Sequence, residues 1–164
     1  MKVIIGAGQL GLAIMEVLLK DNPNEEILLV NKSGKIQQKI PANVQLVAAD
    51  ATNKYEMVFL AREAEVIYSC TDVPYQHWAD FYPAITSALV HVLEKTNTRL
   101  VFADNMYAYG NVQGALMSET MPHNAKTKKG RIRANVIQTL LHSGKSFSNR
   151  VAIVKAADFI GPRI

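Results

Sequence analysis

The chain predicts an α/β fold, a doubly wound parallel sheet of six strands in the order 3-2-1-4-5-6 between two layers of helices. Three observations lead there. Short apolar runs rich in Val and Ile alternate with stretches of helical periodicity from end to end. The first run passes straight into Gly6-Ala7-Gly8-Gln9-Leu10-Gly11 and then into a helix. Successive strands are separated by enough chain for a crossover helix, which implies parallel neighbours and right-handed connections.

Met1-Lys2-Val3-Ile4-Ile5 is the first strand, and Leu10, Ala13, Ile14, Val17 and Leu18 mark the helix behind it. Asp21-Asn22-Pro23 stops that helix, and Ile27–Val30 is the second strand. Val44 to Asp50 is the third, entered after Pro41. A short helix from Asn53 to Glu63 follows, with Asn53 and Glu56 at capping-box spacing. Val66 to Cys70 is the fourth strand. A long helix then carries an apolar stripe of Trp78, Phe81, Tyr82, Ile85, Leu89, Val92 and Leu93. Leu100 to Ala103 is the fifth strand. From Asp104 to Asn124 the rhythm breaks into a long loop, of the kind that usually serves function. Ile132, Val136, Ile137, Leu140 and Leu141 mark the next helix, with Gly144 expected just past its last turn. Val151 to Val154 completes the sheet.

The 164 residues are expected to form one domain, 1–164, without repeat, linker or low-complexity segment. Apolar residues make up 49% and charged residues 20%, the balance of an ordinary globular protein. Eighteen Lys and Arg against fourteen Asp and Glu give a charge of +4, mild enough to permit an anionic ligand. No basic stripe interleaved with aromatics is present, so nucleic acid is not an expected partner. A single cysteine, Cys70, rules out an internal disulfide and suits a reducing compartment. With the glycine turn at residue 6 and no apolar run long enough to span a bilayer, neither a signal peptide nor a membrane partner is expected, and the location is read as cytoplasmic.

The glycine run has the spacing of a dinucleotide fingerprint. Gly6 permits the tight turn, Gly8 lets backbone approach a pyrophosphate, and Gly11 lets helix pack on strand. The free N–H groups of Gln9 and Leu10, at the positive end of the helix dipole, would face the phosphates. In such sheets ligands lie beyond the carboxyl ends of the strands, so each strand end is a candidate. After the second strand come Asn31, Lys32 and Ser33, where an NAD site would carry a carboxylate. A 2′-phosphate would be drawn to Lys32 and Ser33, which favours NADP over NAD, although NAD remains possible. After the third, Asp50-Ala51 could accept from the adenine amino group, cap the next helix, or do both. After the fourth, Ser69, Cys70 and Thr71 would line the floor, with Cys70 read as a small buried hydrophobe. His77, His91, His123 and His142 lack metal-ligand spacing, and no metal site is expected. Lys126, Lys128, Lys129, Arg131 and Arg133 crowd the start of a helix, where cations are unfavourable unless an anion lies near.

The chain resembles the extended and atypical branch of the short-chain dehydrogenase/reductase superfamily, in its NAD-dependent epimerase/dehydratase group. The marks are GAGQLG, Ala49-Asp50-Ala51, Pro74-Tyr75-Gln76-His77-Trp78, Ala103 to Gly110, Lys129 to Ala134, and Asp158-Phe159-Ile160-Gly161-Pro162. The resemblance implies a Rossmann fold, a nicotinamide dinucleotide, an unidentified small-molecule substrate and oxidoreductase chemistry. It also implies a Ser or Thr after strand five and a Tyr-x-x-x-Lys pair on the next helix. Aligned on Tyr109-Gly110, those positions hold Asn105, Lys129 and Arg133. Asn105 could hydrogen-bond a carbonyl but cannot relay a proton as a hydroxyl does. Arg133 could hold a ribose but is effectively never deprotonated. Family members continue beyond the Gly-Pro motif into a substrate-binding region, so the expectation is the cofactor half of such a protein. Three readings follow: a cofactor domain of an atypical reductase, a non-enzymatic NADP(H) sensor or scaffold, and an enzyme using Tyr107, Tyr109 or Lys129. Pairing of two copies, through the helices Trp78–Leu93 and Ile132–Leu141 or the edge of the last strand, is also expected.

Overall fold

The computed structural model describes residues 1–147, 149–158 and 160. Six parallel strands, β1 (Lys2–Ile5), β2 (Ile27–Asn31), β3 (Val44–Ala48), β4 (Val66–Ser69), β5 (Arg99–Asn105) and β6 (Val151–Ala156), form one sheet. Its order is β3-β2-β1-β4-β5-β6, as the sequence predicts. The helices are α1 (Gln9–Asp21), α2 (Lys54–Ala61), α3 (Trp78–Lys95) and α4 (Lys128–Ser146), with 3-10 turns at Tyr75–His77 and Met106–Tyr109. Ile5 pairs with Val30 on one side and Ser69 on the other, so β1 ends where its neighbours diverge. That divergence is the switch point of the sheet.

The two faces are covered unequally. On one, α2, α3 and α4 bury a large core that includes Met57, Tyr82, Ile85, Leu89, Phe102, Val136 and Leu140. On the other, α1 and the chain between β2 and β3 cover a smaller core of Ile4, Met15, Ile27, Leu29 and Val44. Ala152 and Val154 of β6 are exposed. Arg150 ties the end of α3 to β6, donating to the carbonyls of Leu93, Thr96 and Thr98. Those carbonyls have no helical partner, and a cation suits the negative end of the helix.

Several details differ from the sequence reading. The buried line of α1 runs through Gly11 and Met15, while Val17 is exposed, because close packing at Gly11 rotates the helix onto that side. Asn53 caps α2, accepting from the N–H groups of Tyr55 and Glu56, so Asp50 does not. Glu56 reaches back to the Asp50 N–H at 2.9 Å rather than to that of Asn53. Gly144 does not end α4. A Cβ there would meet the Val151 Cβ at 2.7 Å, so the glycine serves the approach of α4 to β6. The left-handed residue is Asn149, at φ 56, and its N–H donates to the Gly144 carbonyl. The apolar stripes of α3 and α4 are consumed within the chain, with only Leu141 notably exposed, which removes that ground for helix pairing. Phe159, Gly161 and Pro162 of the last family mark lie outside the described residues. Among the described residues, no helix is long and apolar enough to cross a membrane.

Candidate functional site

At the end of β1 the backbone turns through Gly6 at φ +106, a conformation that L side chains rarely adopt. A Cβ at Gly6 would also lie 2.9 Å from the Cys70 carbonyl, so β4 closes the turn from behind. The Thr71 hydroxyl donates to the Ile5 carbonyl at 3.2 Å, fixing that wall. At Gly11 a Cβ would collide with the Gly6 carbonyl oxygen. Gly8 is different: a Cβ there would meet nothing within 4 Å. Gly8 is the N-cap of α1, with no side-chain cap and no acidic residue in the first turn. The first amides of α1 are therefore donors without a helical partner, at the positive end of the dipole.

These amides open on a cleft of about 920 Å3. Of the candidate residues, Gly6, Gly8, Gln9, Leu10, Asn31, Lys32, Asp50, Ala51, Cys70 and Thr71 line it. Gly11 is packed behind the turn, and Ser33 is exposed in the next loop, its hydroxyl within 3.4 Å of Asn31 Oδ1. The sequence reading missed Thr52, Asp72, Val73, His77, Asp80, Phe81 and Ala84. His77 at the N-cap of α3 and Asp80, Phe81 and Ala84 on its first turns recur at helical spacing beside the buried stripe, a signal present in the sequence. The Cys70 thiol is pushed up to about 12 by burial, which suits a wall and not a nucleophile.

One end of the cleft is ionic. Asn31 is committed to its own turn: its Oδ1 accepts from the Gly34 N–H at 2.7 Å, and its Nδ2 donates to the Lys35 carbonyl at 2.9 Å. It therefore does not stand in for the missing acid. Lys32 instead reaches across to Asp50, Nζ to Oδ2, at 2.8 Å. The other oxygen of Asp50 accepts from the Thr52 N–H and hydroxyl at 2.9 and 2.7 Å. The hydrogen bond from Lys32, then those from Thr52, hold the Asp50 carboxyl down to about 2. Asp50 is thus ionised at any ordinary pH, and both its oxygens are engaged.

The positions at which the resemblance implies catalytic residues are scattered. Asn105 accepts from the Tyr107 N–H at 3.0 Å and so caps the turn after β5. Arg133 is 2% exposed. Its Nε and Nη2 both engage Asp104 Oδ1, and its guanidinium lies 4.2 Å from the Tyr82 ring centroid. It fastens α4 to β5 and does not line the cleft, so it is not placed to hold a ribose there. Tyr109 is buried beneath Lys155, whose ammonium sits 4.0 Å over the ring, and it too is absent from the cleft.

Lys129 does not line the cleft either and sits 3.3 Å above the ring of Tyr75. The Tyr75 hydroxyl lies 3.0 Å from that of Tyr107. That bond, then desolvation, raises the Tyr107 phenol above its ordinary value, so it stays protonated at neutral pH. This trio lies at the carboxyl ends of β4 and β5, and Tyr75 was not singled out as a candidate by sequence. Trp78, the single tryptophan, contacts both tyrosine rings and donates to the carbonyl of cleft-lining Val73. A second groove, about 690 Å3, lies between α4 and β6 and includes His123, Arg131, His142 and Lys145. Among the described residues, no group of three His, Cys, Asp or Glu is placed to hold a metal ion.

Comparison with known proteins places this geometry. The family model described as NADP oxidoreductase coenzyme F420-dependent matches residues 3–78, from β1 to the start of α3. No curated protein matches the chain in sequence. Among solved structures, a dTDP-glucose 4,6-dehydratase of Bacillus anthracis in complex with NAD superposes with TM-score 0.84 at 16% identity, covering 99% of this chain and 56% of its own. A UDP-glucose 4-epimerase of Thermotoga maritima gives 0.80 at 16%, with coverages of 99% and 57%. The UDP-Glc/GlcNAc 4-epimerase of Campylobacter jejuni gives 0.78 at 19%, with 94% and 52%. The fold is Rossmann-like. The chain spans a little over half the length of these structures.

Proposed function

We propose that the chain is a nicotinamide-dinucleotide-binding domain, spanning 1–164, of an epimerase/dehydratase-like oxidoreductase, and that it favours NADP(H). The observation that carries this reading is the space kept open at Gly8 in front of an uncapped helix. Amides there would take the pyrophosphate, the ionic end around Lys32 and Asp50 the adenosine, and the far end near Val73 the nicotinamide. The matched family model over β1 to α3 and the NAD held by the dehydratase neighbour support this assignment. The cofactor preference is supported by Lys32 at the cleft mouth and by the absence of a free carboxylate at the end of β2. Lys32 is shared with Asp50, so its gain for a 2′-phosphate falls at the lower end for a charge-assisted contact, about tenfold. Energy transfer from Trp78 to the reduced nicotinamide gives the readout: NADPH is expected to bind about tenfold more tightly than NADH. Equal affinities would remove the preference.

A second reading, an NADP(H)-binding chain that turns nothing over, is favoured by Arg133, which is buried where the family's lysine would stand. Under the first reading Tyr107 is the proton donor. NADPH oxidation dependent on a sugar nucleotide and lost in Tyr107→Phe would decide for the first.

A further inference from the structure

We propose that residues 111–124 form a strap held shut by one titratable clasp, the contact of His123 with Lys155, which lets go when His123 takes up a proton. The strap leaves the chain after the turn Met106–Tyr109 and rejoins it before Thr127, the N-cap of α4. It therefore springs from the flank of the Tyr75, Tyr107 and Lys129 cluster. None of its residues belongs to either hydrophobic core, and Leu116 is 94% exposed. Its backbone bonds run within it: Gln113 donates to Asn111 Oδ1, Ala115 to the Val112 carbonyl and Met121 to that of Ser118. Among the described residues, its one polar tie to the rest of the chain is His123, whose Nε2 lies 2.7 Å from the Lys155 ammonium of β6. A segment with so little buried contact is among the first to open.

An ammonium has no lone pair, so Lys155 donates and the His123 ring accepts, with its own proton on Nδ1. His123 therefore closes the strap only while it is neutral. Protonation removes the acceptor and sets two cations at contact distance. The ring of Tyr109 lies beneath both partners, 5.2 Å from the His123 centroid and 4.0 Å from the Lys155 ammonium, and keeps water from one side. From α4, Arg131, His142 and Lys145 share the groove wall with His123 and add no negative charge. From β5 comes Asp104, whose carboxylate is already engaged by Arg133. Desolvation, then the charge of Lys155, holds the His123 imidazole below its ordinary value, while Asp104 pulls it up. A proton thus binds more readily with the strap open. The closed form keeps its full advantage above about pH 6.5, the value of a free histidine. Below that it loses up to about tenfold per pH unit, until His123 titrates in place.

Backbone 15N relaxation and histidine ring titration of the full chain, between about pH 8 and about pH 5, test the clasp. Order parameters across the strap are expected near about 0.8 at the upper pH and below about 0.6 at the lower, changing together with the His123 ring signal, while those of β1 and β4 stay constant. In His123→Gln the side-chain carbonyl accepts from Lys155 and takes no proton, so the strap is expected to stay ordered in acid. In Lys155→Met it is expected to be as loose at the upper pH as the wild type is at the lower. Strap order unchanged through the His123 titration, the same acid loosening in His123→Gln, or a Lys155→Met strap as ordered as wild type at the upper pH would each overturn the proposal.

Discussion

Gly8→Asp is expected to weaken NADPH binding by at least about a hundredfold and to leave the melting temperature unchanged or slightly raised. The backbone at Gly8 is extended, φ −82 and ψ −169, and open to any L residue. A side chain there enters empty space. Aspartate is among the best N-caps, so its carboxylate would accept from the first free amides of α1 and sit well at the positive dipole end. Those are the donors assigned to the pyrophosphate. The substitution supplies the helix with the anion it lacks, inside the chain, and repels the one arriving from outside. Folding and binding therefore separate at this position. At Gly11 they do not, because a Cβ there strikes the Gly6 carbonyl and disturbs the turn itself. Calorimetry and NADPH titration on the same preparation would show the separation; NADPH affinity unchanged in Gly8→Asp would remove the pyrophosphate from the glycine turn.

Arg133→Met is expected to cost about 3–5 kcal/mol of folding stability, the range for breaking a buried ion pair by removing one partner. Asp104 is 3% exposed, and its Oδ2 has no hydrogen-bond partner among the described residues. Without the guanidinium, a carboxylate would be left among Tyr82, Phe102 and Trp78, the rings that now surround Arg133. Removing both charges, as Arg133→Met with Asp104→Leu, is expected to recover most of the loss, because two apolar groups of similar shape can replace such a pair. Urea unfolding of the two single variants and the double variant closes the cycle. Equal losses in Arg133→Met and the double variant would show that the pair is not what holds α4 to β5. The same burial explains why a residue expected to hold ribose is instead part of the scaffold.

The fold was legible because its signals are local. Each strand is a short apolar run, and each crossover carries its own period. The glycine run announces the turn, and ten cleft residues follow from reading the strand ends in order. What the sequence hid were side-chain destinations. Asn31 and Lys32 are adjacent, yet one closes its own turn while the other crosses to β3, a choice made by strand register. Arg133 and Lys129 sit one helical turn apart, but the first is driven inward by Asp104 and the second stays over Tyr75. The Tyr75–Tyr107 contact joins residues 32 apart in the chain, and only the closing of β4 against β5 brings them together.

A dinucleotide bound as proposed lies across the end of β1 with its pyrophosphate on the amides of α1. Amide 1H–15N spectra of the labelled chain, recorded during NADPH titration, test it most directly. The largest shifts are expected on the amides of Gly8, Gln9 and Leu10, with further shifts at Lys32, Ala51 and Val73. Small changes are expected at Asn135, Gln138 and His142 in the groove beside α4. Saturable shifts confined to that groove, with the glycine-turn amides unmoved, would contradict it.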